Sequence, residues 1–255
     1  MVYLVHALVT LLGAPATLPA PAPAPIIEPV TAPAPAPAPA ATSTGTIAGT
    51  VVITRGGPDG KPKADRAGVV VYLDVVIEPG SEGLSEANSA APAAPATVHA
   101  IRQVNKAFVP AVSAVVKGTE VTFPNDDMVF HNVFSLSKSK RFDLGLYKAG
   151  TTKSVTLTRP GIIDVYCNIH PEMAAKILVL DNPHFAVTTA DGRFTIPRVP
   201  AGEYPYVAWL ARGEPVRGVV TVTAGGEARL DLKLVEVPQA NLHTRKDGSP
   251  YGRYN

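Results

Sequence analysis

Residues 162–180 read IIDVYCNIHPEMAAKILVL and contain the only cysteine of a 255-residue chain, followed three positions later by a histidine and three beyond that by a methionine. The flanking runs IIDVYC and AAKILVL are β-branched and apolar, and neither holds a 3.6-residue period. They read as two antiparallel strands joined by the turn NIHPEM. Alternation along the first strand puts Ile163, Val165 and Cys167 on one face, and its apolar members mark that face as the core side. The thiol therefore points inward at the strand's end, and the tight turn carries His170 and Met173 back over it. A fourth group is expected from a separate loop. The stretch FPNDDMVFHNVF, residues 123–134, supplies His131 just after the strand TEVTF.

These residue types in this pattern point to one chemistry. Two imidazoles, a thiolate and a weak thioether form the ligand set of a blue-copper electron-transfer centre. A lone cysteine has no internal disulfide partner. In an exported chain it implies intermolecular pairing, a reactive group or a metal ligand, and a buried inert thiol is the plain alternative. A bound metal keeps such a thiol deprotonated, which explains why it persists. Met128, three residues before His131, is a rival to Met173 as the thioether donor, but is expected to fill core beside the site. His6, His99, His184 and His243 lack ligand spacing and are read as non-ligands.

The motifs FPNDD, His131-Asn132, Tyr166-Cys167 and CNIHPEM, spread over residues 97–182, resemble the cupredoxin family, the plastocyanin-, pseudoazurin- and amicyanin-like blue copper domains. The resemblance implies a Greek-key β-sandwich holding one type 1 copper, with His131, Cys167 and His170 as strong ligands and Met173 as the weak axial one. It implies that Asn132 ties the two ligand loops together through hydrogen bonds. Electrons would enter at the exposed edge of His170 beside Pro171, with Tyr166 as a second path. The implied function is a one-electron carrier between redox proteins such as cytochromes or dehydrogenases, not an enzyme. Copper storage or delivery, and a cell-surface binding module with a structural copper, are the alternatives. Three methionines are few for storage. A trinuclear oxidase centre needs His-x-His pairs, and a binuclear copper site needs two cysteines; the sequence has neither.

Working outward, the rest of the chain also reads as short strands, so the fold class is all-β. The pairs SAVV and TEVTF, and KSVTLT and IIDVYC, are each joined by a glycine-containing turn. The stretch AVTTADGRFTIPRVPAGEYPYVAWL, residues 186–210, resembles the carboxypeptidase regulatory-like, transthyretin-like β-sandwich, with Asp191-Gly192 as a hairpin turn. The opening expected of such a module lies far upstream, as GTIAGTVVI, GKP and AGVVVYL within residues 45–75. A split sandwich is therefore expected, from 45–78 and 183–235, with the cupredoxin segment 97–182 inserted in it; the alternative is two independent units flanking that segment, but residues 45–78 alone are too small to be stable. Residues 21–44 and 79–96 are rich in proline and alanine and read as extended linkers. Residues 236–255 read as a flexible tail.

The first 20 residues are mostly apolar, too few to span a bilayer comfortably, and end in small residues. They read as a secretory signal, cleaved after Ala16 or Ala20, which places the protein in the periplasm or at the cell surface with no membrane span in the mature chain. Net charge is +2 with no long single-sign run. Nucleic acid and anionic membrane surfaces are therefore not implied as partners. The cluster SKSKR, residues 137–141, is a candidate for steering an acidic redox partner, or simply a solvated basic loop.

Overall fold

The structure is a computed structural model and describes residues 43–74, 98–237 and 243–251. The expected signal peptide and the two linkers fall outside the described residues, except for Ser43 and Thr44. Among the described residues every helical or extended element is a β-strand, so the chain is all-β.

Strands from both ends of the chain meet around one core. Strand β1 (Thr44–Arg55) runs antiparallel to β15 (Arg193–Pro200) on one side and parallel to β18 (Glu227–Glu236) on the other, with the short β2 (Lys61–Pro62) against its end. The facing sheet has the order β14 (Phe185–Val187), β3 (Val69–Leu73), β16 (Gly202–Leu210), β17 (Val216–Val222). Ile47, Val51 and Ile53 share one face of β1 by the two-residue alternation, and all are fully buried against Val69, Val71, Leu73, Phe194 and Ile196. Gly49 falls on the same face but packs against β18 so closely that a Cβ there would lie 1.7 Å from the carbonyl oxygen of Leu230. Only glycine fits that approach.

A second core is built from the middle of the chain. The sheet β10 (Arg141–Tyr147), β9 (His131–Leu136), β12 (Gly161–Tyr166), β13 (Ala174–Leu180), β7 (Val112–Val116) faces β11 (Thr152–Thr156), β8 (Glu120–Pro124) and β4 (Val98–Ala100). A hairpin, β5 (Arg102–Val104) and β6 (Ala107–Val109), closes one side. Phe108, Val121, Phe123, Val133, Leu157, Ile163, Val165 and Ile177 fill the space between, each at most 2% exposed. At roughly 1.5–3 kcal/mol per buried large side chain, this packing dominates what holds these strands in place.

The glycine turns do not make hairpins between the strands they join. Lys117-Gly118 carries the chain from β7 to β8, and Gly161 from β11 to β12, each time crossing to the opposite sheet. The turn at Asp191-Gly192 likewise leads from β14, which pairs with β3, into β15, which pairs with β1. A local turn signal does not say which sheet the next strand joins. Strand β3 is a further case. Its run VVVYL is apolar on both faces because Val70 turns away from the first core into a third cluster, with Ala114, Leu178 and Leu180 of β7 and β13. Tyr72, Val112, Phe185, Val187 and Trp209 pack around this layer, so the two sandwiches meet through an apolar seam.

Candidate metal centre

Strand pairing brings the sulfur and one imidazole to the same end of one sheet. Phe134 of β9 opposes Tyr166 of β12, so His131, Val133, Val165 and Cys167 all lie on the inward face by alternation. His131 and Cys167 are both 0% exposed. The chain then makes a closed turn. The amide of Cys167 donates to the carbonyl of Met173 (3.2 Å), and the amide of Met173 to the carbonyl of His170 (3.2 Å). That turn folds His170 back over the sulfur and leaves it half-buried.

The resulting distances are short. His131 Nδ1 lies 3.1 Å from His170 Nδ1, and Cys167 Sγ lies 3.9 Å from the first and 3.6 Å from the second. Ligand-capable atoms of these three residues all fall within 4.8 Å of one another, the grouping of this kind found among the described residues. Met173 is fully buried in the same core cluster, its backbone paired with that of Cys167. Burial, then the neighbouring His131 and Lys106, hold the His170 imidazole below its usual range, and Glu172 and Asp127 only partly oppose this. The ring is thus neutral at neutral pH, with a lone pair to offer.

Two residues missed by the sequence reading prepare His131. Asp127 Oδ2 lies 2.7 Å from His131 Nε2. An ionised carboxylate only accepts, so Nε2 carries a proton, and in the neutral ring Nδ1, which faces the sulfur, is the bare nitrogen. Asp127 also accepts the amides of Asn105 (2.5 Å) and Lys106 (2.8 Å), the two left-handed residues of the turn between β5 and β6. Burial alone would raise the Asp127 carboxyl, but the bonds from Lys106, His131 and Asn105 outweigh it and leave it below the usual carboxylate range. Asn125, fully buried, holds the loop itself: its Nδ2 donates to the carbonyl of Val129 (2.9 Å) and its Oδ1 accepts the amide of Asp127 (3.1 Å). The signal was in the sequence as Asn-Asp-Asp in a turn, where Asx side chains bond nearby backbone.

Other expectations change. Asn132 does not reach across to the cysteine loop: its Nδ2 donates to Asp143 Oδ1 (2.7 Å), and its Oδ1 is buried with no hydrogen-bond partner. Met128 is not core but 92% exposed, and Val129 and Phe130 beside it are also exposed, because the loop turns its apolar side chains outward before β9 begins. His99 bonds Ser113 (2.9 Å) away from the cluster. Residues 137–140 of SKSKR connect β9 to β10, which Arg141 opens, at the end of β9 away from His131. Residues 243–251, within the stretch read as a tail, make defined contacts with the site. His243 stacks on Tyr166, ring centroids 4.1 Å apart at 22°, and Tyr251 Oη donates to the Cys167 carbonyl (2.6 Å).

No protein-family model and no curated protein sequence matches the chain. The solved structures it resembles include cupredoxins. A copper-containing nitrite reductase from Thermus scotoductus SA-01 aligns at 25% identity over 34% of this chain and 23% of its own, with a TM-score of 0.32. A Cu(I) form of an amicyanin mutant aligns at 22% identity over 32% of this chain and 81% of its own, TM-score 0.31. A purple cupredoxin from Nitrosopumilus maritimus gives 24% identity over 32% and 98%, TM-score 0.29. The aligned part thus spans under a quarter of the nitrite reductase. These overlaps are too loose to carry a functional case, which rests on the site itself. Its donor set, two imidazoles and one buried thiol, with Met173 buried in the same core cluster, fits a soft, redox-active ion such as copper.

Proposed function

We propose that this chain is an exported type 1 copper protein that passes single electrons between redox proteins. The observation that carries this reading is the convergence of His131 Nδ1, His170 Nδ1 and Cys167 Sγ within 4.8 Å, from two segments 36 residues apart, at the end of a β-sandwich. His131, Cys167 and His170 would hold the metal, with Met173 as the weak axial donor. Bound there, copper supplies a Cu(II)/Cu(I) couple. The protein's part is to keep the donors fixed. Asp127 holds the proton of His131 on Nε2, and the closed turn from Cys167 to Met173 sets the sulfur and His170 together. The surrounding core excludes water from all but the outer edge of His170.

That edge, with Pro171, is the proposed port for electrons. The exposed apolar residues Met128, Val129 and Phe130 lead into His131 and would widen it into a contact for a redox protein. The sandwich formed by the two chain ends is proposed as a separate scaffold domain, from 45–78 and 183–235, into which 97–182 is inserted. Its own core, distinct from that of the metal site, supports this. Export rests on the apolar N-terminal sequence; among the described residues no helix is long and apolar enough to cross a membrane.

The test is to add Cu(II) to the purified chain and record visible and paramagnetic spectra. An intense thiolate-to-copper band with narrow hyperfine splitting is expected at one copper per chain, and Cys167→Ser should remove both. Uptake of copper without that band, or an unchanged spectrum in Cys167→Ser, overturns the reading.

A further inference from the structure

Asn132 does not join the two ligand-bearing segments by itself. Asn132 follows His131, and Asn168 follows Cys167. Asn132 Nδ2 donates to Asp143 Oδ1 (2.7 Å), and Asp143 Oδ2 accepts from Lys246 Nζ (2.5 Å). The backbone amide of the same Lys246 donates to Asn168 Oδ1 (2.9 Å). A chain of three hydrogen bonds thus runs from the neighbour of one proposed ligand to the neighbour of the other, through one residue near the C-terminus.

The segment around Lys246 is built to hold it there. Gly248 donates to the Arg245 carbonyl and Arg245 to the Ser249 carbonyl, both at 2.9 Å, closing a turn with Lys246 near its tip. Asp247 Oδ1 accepts from the Ser249 amide (2.9 Å) and hydroxyl (2.6 Å) and stiffens that turn. Past the turn, Tyr251 Oη reaches the carbonyl of Cys167 itself and lies 3.2 Å from His243 Nδ1. His243 covers the Tyr166 ring, which in turn packs on Phe134 at 5.9 Å. None of these tail residues belongs to either sandwich core, so their contacts are spent on the metal-site loops rather than on the fold.

We propose that residues 243–251 form a strap that locks the His131 and Cys167–His170 segments to each other, with Lys246 and Tyr251 as positioning residues of the metal centre. The inference rests on the copper reading for its consequence but not for its geometry. Removing the strap loosens the turn from Cys167 to Met173, weakens metal binding by about 10–100-fold as loss of outer supporting hydrogen bonds does at other sites, and uncovers the Tyr166 face.

Three variants of the full chain test it: a truncation ending at Val237, Lys246→Met and Tyr251→Phe. Two measurements are made on each. In the metal-free protein, hydrogen exchange is followed at the amides of Cys167 and Met173, the two that close the ligand turn. With copper sulfate as probe, Cu(II) affinity is read by competition with a chelator, alongside the visible band. The truncation is expected to speed exchange at both amides at least tenfold, leave exchange in β1 and β16 unchanged, and weaken Cu(II) binding. Tyr251→Phe and Lys246→Met should each do part of this. Should the truncated chain fail to fold, the two point variants decide the matter. Unchanged exchange at Cys167 and Met173 overturns the strap. If wild type takes up no copper, the copper reading fails while the exchange arm still decides the strap.

Discussion

Replacing Asp127 with alanine removes three hydrogen bonds at once, and their settings differ enough to predict the cost. The bond to His131 Nε2 is charge-assisted, 2.7 Å long, and its donor is fully buried. Losing it leaves a buried N–H unpaired, at about 1.5–3 kcal/mol. The amides of Asn105 and Lys106 sit in an exposed turn where water replaces the carboxylate, so each costs only about 0.5 kcal/mol. The sum is about 3 kcal/mol, measured by urea unfolding of the metal-free protein. A double-mutant cycle with His131→Leu isolates the first term, since the loss at the turn is the same in both backgrounds and cancels. A coupling of about 1.5–3 kcal/mol is expected. The same change frees the His131 proton to move to Nδ1, the atom that must be bare for a metal, so Cu(II) affinity should also fall by about 10–100-fold. A coupling energy below about 0.5 kcal/mol refutes the assigned hydrogen bond. A normal coupling with unchanged copper affinity refutes its role in preparing Nδ1.

Two further outcomes follow from the fold. Glu236 is buried beside Arg55, Lys63 and Arg212, and although burial raises its carboxyl, Arg55 and Lys63 outweigh this and leave it below the usual range. A depressed carboxylate stabilises the fold above its unfolded value, about pH 4.3, and this stability is lost as pH falls through the folded value. Glu236→Gln should therefore cost about 1–3 kcal/mol at neutral pH, with the difference from wild type vanishing in acid; a pH-independent difference refutes the ion-pair account. Leu178→Ala, in the apolar seam between the sandwiches, should cost about 2–3 kcal/mol and split one calorimetric unfolding transition towards two. A loss below about 1 kcal/mol with a single transition shows that the seam does not couple them.

Much of the site was legible in the chain because it is local. Cys167, His170 and Met173 lie within seven residues, and a turn that short brings them together under strand alternation alone. All-β architecture was legible for the same reason: short apolar runs punctuated by glycine, with no helical period. The sequence could also nominate His131, by residue type, by the strand TEVTF before it and by the asparagine that follows it. The nearness of His131 to the sulfur is a tertiary fact, decided by the antiparallel pairing of β9 with β12. So are the roles of Asp127, Asn132 and the tail. Each is fixed by a hydrogen bond to a partner whose identity depends on which strands pair and how loops stack over their ends. Met128 makes the point most plainly: an apolar residue three positions from a buried histidine is fully expected inside, yet the loop held by Asn125 turns it out to solvent. Periodicity reports which residues share a face of one strand. Which strand lies opposite, and which distant segment covers its end, depends on contacts whose energy is felt only once the whole chain has collapsed around its two cores.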